Sequence, residues 1–493
     1  MKNLNIKLGL IASVITATFL MSCSDDFVDV DPTNENSEDY FNSEEDYQLA
    51  LVGAYDLLQA TYLNVMVGEI ASDNTLAGGE SATDTPGIQE IDNMTHGTIN
   101  QQLRDIWGWM FSGVNRANYI LEFQDKTDFN GKEQVIAQAR FLRAYYYFEL
   151  VKWFGDVPLA VDQRLFFGDQ FNAERTPKPE VYNQIELDLI FAAETLPATQ
   201  AENGRITSGA ARALLGKAYL YQNKFTEAAA AFDLVIAGPY DLVTDYSTIF
   251  EQEGENNVES VFEVQYTDKE GAGFGCLQCS EGNVAVGFNG IRNYSGPQFD
   301  SGFSFNVPVQ EVYEAFEPGD SRRDVAILNI VEFAAANGAT YNEGFEHTGF
   351  YNKKYIARKG DANIGDAALT NPNNYRSIRF ADVLLMAAEA HNRKATPNDA
   401  LAQEYLNRVR RRAFGDTNHD ITATGAALTD FIYDERRLEL VGEGHRFFDL
   451  VRTGRAAQNI PGFTTGKNEL FPIPAIEIQL AGNRWEQNQG YTN

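Results

Sequence analysis

The chain has 493 residues and a formal net charge of −31, from 39 Lys and Arg against 70 Asp and Glu. That balance excludes a conventional nucleic-acid binder, which needs a basic face to neutralise phosphates, and it disfavours strongly anionic polymers as ligands. Hydrophobic content of 44% and aromatic content of 12% supply a large core, and the length alone would suit two or three domains.

In chain order, Lys2 and Lys7 precede an apolar run from Leu8 to Met21. A charged n-region and a short h-region make residues 1–22 a signal peptide, because the run is too short for a comfortable membrane span. The run ends in Leu20-Met21-Ser22-Cys23, which resembles the lipobox of bacterial lipoproteins. The resemblance implies cleavage before Cys23 and lipid modification of that residue. Ser24-Asp25-Asp26 resembles the acidic signal of surface-exported lipoproteins, implying passage to the outer face of the outer membrane. Residues 23–38 read as an acidic tether, and no later segment is apolar enough to span a bilayer.

A helix is expected over 43–61, opened by Ser43 and Asp46 as a capping box. The polar segment 68–100 has almost no apolar periodicity and reads as a long loop, either functional or disordered. A helix resumes near Leu103 with Trp107, Met110, Val114 and Ala117. The stretch from Lys132 to Leu159 then forms the centre of the chain. Phe141, Leu142, Tyr145 to Phe148, Leu150, Val151, Trp153 and Phe154 cover nearly the whole circumference of a helix, so it should be buried on all sides. Gly155 and Pro158 end it. Arg140 and Arg143 inside this run need carboxylate partners, and the acidic residues of 435–449 are the expected source.

A helix from Val181 to Leu196 follows, then a pair over 208–222 and 226–236. Counting from Gly209, the residues Leu215, Gly216, Tyr219, Ala228 and Phe232 occupy the small and large packing positions of a tetratricopeptide repeat. A looser echo runs from Phe380 to Arg412. Residues 240–375 change character, being rich in Gly, Asn, Ser and aromatics with short strand-like runs, and read as a loop-rich insert with little sheet. Helices return over 377–393, 398–413, 428–441 and 446–452.

Three cysteines are present. With Cys23 lipidated, Cys276 and Cys279 remain as Cys-x-x-Cys. No His lies within sixty residues on either side to complete a zinc site, and no βαβ context suggests thioredoxin chemistry. Outside the cytoplasm a small loop-stiffening disulfide is expected, with free thiols as the alternative.

Several ordered stretches resemble the SusD/RagB family of outer-membrane nutrient-binding lipoproteins. They are Ala139 to Phe148 followed by Phe154 to Leu159; Asn257 to Tyr266; Arg379 to Ala390 with Leu406 to Ala413; Glu435 to Arg452; and Leu470 to Pro474 with Gln487 to Gly490. The resemblance spans essentially all of the mature chain. It implies a mostly α fold over 39–493, a tetratricopeptide-like scaffold of about four helix pairs with the loop-rich insert carrying the ligand site. It further implies a lid on a SusC-like TonB-dependent transporter, capturing oligosaccharides without catalysis or cofactor. Some relatives take other nutrients, so peptides stay open as the alternative cargo.

Enzyme signatures are weak. Glu435 and Glu439 share one helix face, the wrong arrangement for two carboxylates flanking a glycosidic bond. With Arg436, Arg446, Asp449 and Arg452 they read instead as a structural ion-pair network. The five His residues lack metal-ligand spacing, Gly462 to Lys467 falls short of a phosphate loop, and Asp416 to Asp420 lacks the glycine of a calcium loop. No metal site is expected. Sugar faces are apolar and stack on aromatic rings, while Asp, Asn and Arg bond the hydroxyls. Two regions fit, and they are also where the resemblance places ligand contacts: Asp73 and Asn74 with Trp107 or Trp109, and 276–305 with Cys276, Cys279, Phe288, Asn289, Arg292, Asn293, Tyr294 and Phe303. Trp107 and Trp109 are two apart on a helix, so at most one should face ligand.

Overall fold

The computed structural model describes residues 40–166, 168–269, 272–360 and 368–492. The expected signal peptide, Cys23 and the tether lie outside the described residues.

Among the described residues, the helices of seven residues or more are α1 (Glu44–Asp56), α2 (Tyr62–Ile70), α3 (Pro86–Asp92), α4 (Gln101–Glu122), α5 (Lys132–Phe154), α6 (Lys178–Thr195), α7 (Ser208–Tyr221), α8 (Phe225–Ile236), α9 (Ile330–Asn337), α10 (Phe380–Arg393), α11 (Asp399–Phe414), α12 (Gly425–Leu440) and α13 (Arg446–Arg452). The strands are β1 (Thr75–Gly78), β2 (Ser260–Val264), β3 (Ile291–Arg292), β4 (Ser301–Gly302), β5 (Phe305–Pro308), β6 (Ile327–Asn329), β7 (Phe350–Asn352) and β8 (Tyr375–Arg379).

The helices α1, α4, α5, α6, α7, α8, α10 and α11 pack in that order, each against the next. This is the expected mostly α scaffold of four helix pairs. Local chemistry starts several of them: Ser43 and Asp46 close a capping box on α1, and Asn100, Thr207 and Asn398 cap α4, α7 and α11 with side-chain oxygens. Within α7 and α8, the small residue Gly216 lets Phe232 approach so closely that an added Cβ would lie 2.5 Å from its ring.

Helix α5 lies at the centre, and from Phe141 to Phe154 every residue except Lys152 is buried. Its neighbour α4 meets it at Gly113, where an added Cβ would lie 2.6 Å from the Tyr146 ring. At its C-terminal end Gly155 takes φ 72°, and an added Cβ would lie 2.7 Å from Leu470. The chain's tail seals this end: the Phe471 N–H donates to the Trp153 carbonyl at 2.8 Å, and the Asn488 amide donates to the Phe154 and Phe471 carbonyls at 2.9 and 2.6 Å. The late motifs around Phe471 and Gln487 are therefore a plug for the central helix.

The expected partners of Arg140 and Arg143 are corrected. Arg143 forms a two-pronged pair with Asp188 of α6 at 2.7 and 2.8 Å, and also donates to Asn118 of α4 at 2.9 Å. Arg140 rests its guanidinium over the Phe191 ring at 4.2 Å. Both residues tie α5 to its immediate neighbours, because side chains on a packed helix reach adjacent helices first.

Glu435, Glu439 and Asp449 are instead satisfied by arginines closer to them. Glu435 accepts from Arg322 at 2.6 Å and Arg410 at 2.7 Å. Glu439 accepts from Arg412, Arg379 and Arg322 at 2.6, 2.9 and 3.0 Å. Burial opposes its charged form, but Arg412, Arg379, Arg322 and Lys354 outweigh it and hold the carboxyl far below the usual range. Asp449 accepts from Arg452 at 2.8 Å and Arg436 at 3.1 Å; these charges overcome its burial and hold its pKa at about 2.

Arg322 and Lys354 come from the insert, so this buried network joins the insert to α12. Strands β2 and β8 pair antiparallel and close the insert where it leaves and rejoins the helices. The insert holds little sheet: β3–β4 and β6–β7 are two-stranded, and β5 pairs with β1. That last pairing corrects the reading of 68–100 as a plain loop. Residues 75–78 are a strand and 86–92 a helix, because β1 finds its hydrogen-bonding partner more than two hundred residues away, beyond any local periodicity.

Candidate functional site

The β1–β5 pair brings the two halves of the chain together, and a cleft of about 630 Å³ opens beside it. This lies within the range of about 300–1,000 Å³ typical of small-molecule sites. One wall is helical: Tyr62 and Met66 from α2, then Gln101, Gln102, Asp105 and Trp109 along the first turns of α4. The turn after β1 contributes Glu80, Asp84 and Thr85. The facing wall comes from the insert, with Phe274, Leu277, Gln278, Phe288, Arg292, Phe303 and Phe305.

Aromatic rings stand on both sides of the cleft. Trp109 is half-buried, its ring 6.2 Å from that of Tyr62 at a 41° tilt. Opposite, Phe303 stands 5.7 Å from both Phe274 and Phe288. Phe274 is 60% exposed, an unusual position for a phenylalanine that no core contact requires.

Polar groups lie between the rings. Arg292 donates to the Phe303 carbonyl at 2.7 Å and to Ser304 Oγ at 3.0 Å, with Asp84 and Glu80 carboxylates at 3.6 and 3.8 Å. The Gln102 side-chain carbonyl is buried without a hydrogen-bond partner among the described residues. Burial pushes the Asp105 carboxyl up, against a hydrogen bond from Gln101 and the charge of Arg104. The site therefore offers apolar faces for stacking and both donors and acceptors for hydroxyl groups. Among the described residues no cluster of His, Cys, Asp and Glu could hold a metal ion.

The structure divides the expected site residues. Phe288, Arg292 and Phe303 line this cleft. Cys276 and Cys279 are joined as a disulfide around a short 3-10 turn, flanking the lining residues Leu277 and Gln278. Removing it, as in Cys276→Ser with Cys279→Ser, is expected to weaken ligand binding severalfold while leaving the thermal midpoint of the helical scaffold within about 2 °C, since a loop of so few residues constrains the unfolded chain little. Paired binding isotherms and thermal melts check this, and a large loss of stability would count against it.

Trp107 turns to the opposite side of α4. It is 3% exposed and packs against Phe154, Phe111 and Trp485 beside a separate cavity of about 270 Å³. Asn74 is fully buried, donating to Glu69 at 3.1 Å and accepting from Arg437 at 2.8 Å. Asp73 is held by Arg446 at 2.7 and 2.8 Å and faces a different cleft. Tyr294 donates its hydroxyl to the Pro297 carbonyl at 2.6 Å within a small core of the insert. Asn289 is buried against Tyr355 and Asn306, and Asn293 is exposed outside the cleft lining.

Residues that the sequence did not single out as ligand contacts are Tyr62, Met66, Glu80, Asp84, Gln102, Asp105 and Phe274. Phe274 carries a signal, a lone aromatic between Gly273 and Gly275. Asp105 and Trp109, four apart on one helix face, carry another.

The second cleft, of about 730 Å³, lies at the other end of α3 and contains Asp73, Asp92, Glu346 and Arg437. Burial pushes Asp92 up to about 7, against the Ala77 N–H that donates to it at 3.1 Å, and Glu346 adds to the rise. A carboxyl raised in the folded state favours folding while it is protonated and loses that contribution as pH rises towards its folded value. Asp92→Asn is thus expected to match the native protein near pH 4 and to become the more stable of the two towards pH 8, by up to about 4 kcal/mol. Denaturant midpoints across that range check the sign.

Comparison with known proteins fits this architecture: a helical-repeat scaffold that presents a ligand cleft built from loops. A family model described as "SusD family" matches residues 251–470, and one described as "Starch-binding associating with outer membrane" matches residues 26–220. A solved laminarin-binding SusD-like protein is 35% identical, covering 92% of this chain and 100% of its own, with a TM-score of 0.82. Surface glycan-binding protein A from Bacteroides thetaiotaomicron, solved in complex with laminarihexaose, is 29% identical over 90% of this chain and 99% of its own, with a TM-score of 0.79. SusD-like protein P2 of Formosa agariphila is 27% identical over 98% of this chain and 99% of its own length. The chain belongs to the SusD family.

Proposed function

We propose that this protein is a cell-surface glycan-binding lipoprotein, anchored through Cys23, that captures oligosaccharides and passes them to a SusC-like TonB-dependent transporter. The observation that carries the reading is the cleft at Trp109, where aromatic rings on two facing walls are interleaved with hydrogen-bonding side chains. Sugar rings would stack on Trp109, Phe274 and Phe303, while Gln101 and Asp105 bond hydroxyls. Binding of this kind needs no covalent chemistry. The similarity to a laminarin-binding relative and to a laminarihexaose complex makes a laminarin-type glucan the first ligand to test.

Calorimetric titration with laminarihexaose, cellohexaose and maltohexaose, each assayed in parallel for new reducing ends, tests the proposal. Saturable binding to at least one without product release supports it. Release of shorter products overturns the non-catalytic reading, and binding of peptides alone overturns the glycan reading. Co-purification with a TonB-dependent transporter from the native membrane tests delivery.

A further inference from the structure

The cleft has a charge pattern that its aromatic walls do not explain. Three carboxylates, of Glu80, Asp84 and Asp105, line it against one guanidinium, that of Arg292. That guanidinium is already committed: it donates to Phe303 and Ser304 and lies within 3.8 Å of two of the three carboxylates. No other Lys, Arg or His lines the cleft among the described residues.

We infer that the cleft selects glycans by charge, accepting neutral and cationic chains and rejecting those that carry sulfate or carboxylate, and that Glu80 and Asp105 set this selection. The inference rests on the glycan reading of the same site.

Two features oppose a negative cleft, and both are smaller. The N-terminal end of α4 carries a partial positive charge equivalent to about half a unit, and it is already capped by Asn100. Arg104 acts on Asp105 but is exposed to solvent and does not line the cleft. Against these stand the three acids, of which Glu80 is exposed on the rim and Asp105 is partly buried beside Trp109. The apolar walls of Trp109 and Phe303 focus the field of the carboxylates into the cleft, so their charge is felt more strongly there than on an open surface. A neutral sugar meets acceptors for its hydroxyls. An anionic sugar meets the same acceptors as repulsive charges, with no uncommitted cation among the described lining residues to receive it.

The test uses one backbone in three charge states: laminarin, sulfated laminarin and aminated laminarin, each titrated into the full chain at 20 mM and 500 mM NaCl. At low salt the sulfated form is expected to bind at least tenfold more weakly than the parent, and the aminated form at least as tightly. High salt should narrow the sulfated gap to threefold or less. In Glu80→Gln/Asp105→Asn the ratio between parent and sulfated forms, and not either affinity, is the readout, and it should fall at least threefold. Equal binding of parent and sulfated forms overturns this inference alone. A gap that survives high salt unchanged also overturns it, because the discrimination would then be steric. Binding of none of the three overturns laminarin as the ligand and this inference as tested on it, whereas the glycan reading falls only if the cellohexaose and maltohexaose titrations fail as well. If the double variant does not fold, the salt arm on the unaltered protein decides.

Discussion

Glu439→Gln is expected to destabilise the protein by about 3–5 kcal/mol, the cost of breaking a buried ion pair by removing one partner. Glu439 accepts from three guanidiniums, and its side chain is 0% exposed. Gln keeps an acceptor but loses the charge, leaving Arg322, Arg379 and Arg412 buried with less than their share of negative charge. The loss should be read as a lower denaturant midpoint at unchanged slope. Its pH dependence has a definite sign. A carboxyl held low in the folded state contributes stability above its ordinary value near 4.5, and that contribution is lost as pH falls. The gap between native and variant proteins should therefore be constant from about pH 6 to 8 and shrink on acidification below about pH 4.5. A change under 1 kcal/mol at neutral pH would show that the network reorganises around the substitution and is not the fixed link between insert and helices described here.

The second large effect separates two tryptophans on one helix. Trp109→Ala is expected to weaken binding of a laminarin-type oligosaccharide about 10- to 100-fold, or roughly 1.5–3 kcal/mol, because it removes the largest stacking face of the cleft. The cost to stability should be small, since Trp109 is only half-buried. Trp107→Ala should do the reverse. It empties a site packed by Phe154, Phe111 and Trp485, costing about 3–5 kcal/mol of stability while binding changes little at temperatures where the variant stays folded. Titration and melting of both variants give four measurements. If Trp107→Ala lowered affinity more than Trp109→Ala, the cleft described here would not be the binding site.

The scaffold was legible in the sequence because its signals are local. The all-round apolar run of α5, the capping box of α1, and the small-large spacing of α7 and α8 each follow from residues within a few turns of one another. The candidate cleft is legible only in part. Phe288, Arg292 and Phe303, which line it, stand out because an aromatic and polar cluster on loops is a compositional signal. Asp73 and Asn74 carry the same residue types, yet Arg446, Arg437 and Glu69 claim them. Nothing in their local sequence shows that those partners are nearby. Trp107 and Trp109 were recognised as pointing to different sides, but which side faces the cleft depends on where α4 sits against α5.

The same limit applied to charge pairing. The sequence required carboxylates for Arg143 and arginines for Glu439, since a buried charge without a partner is too costly to keep. It could not say that Arg143 would find Asp188 on the adjacent helix while Glu439 would find Arg322 of the insert, Arg379 of β8 and Arg412 of α11. The sequence by itself determined the helical repeat, the buried central helix and the need for a compensated charge network, because periodicity and burial cost are properties of short segments. The tertiary structure alone decided the partners and the cleft, because the β1–β5 pairing and the packing of the insert join residues more than two hundred positions apart. No local pattern encodes that distance.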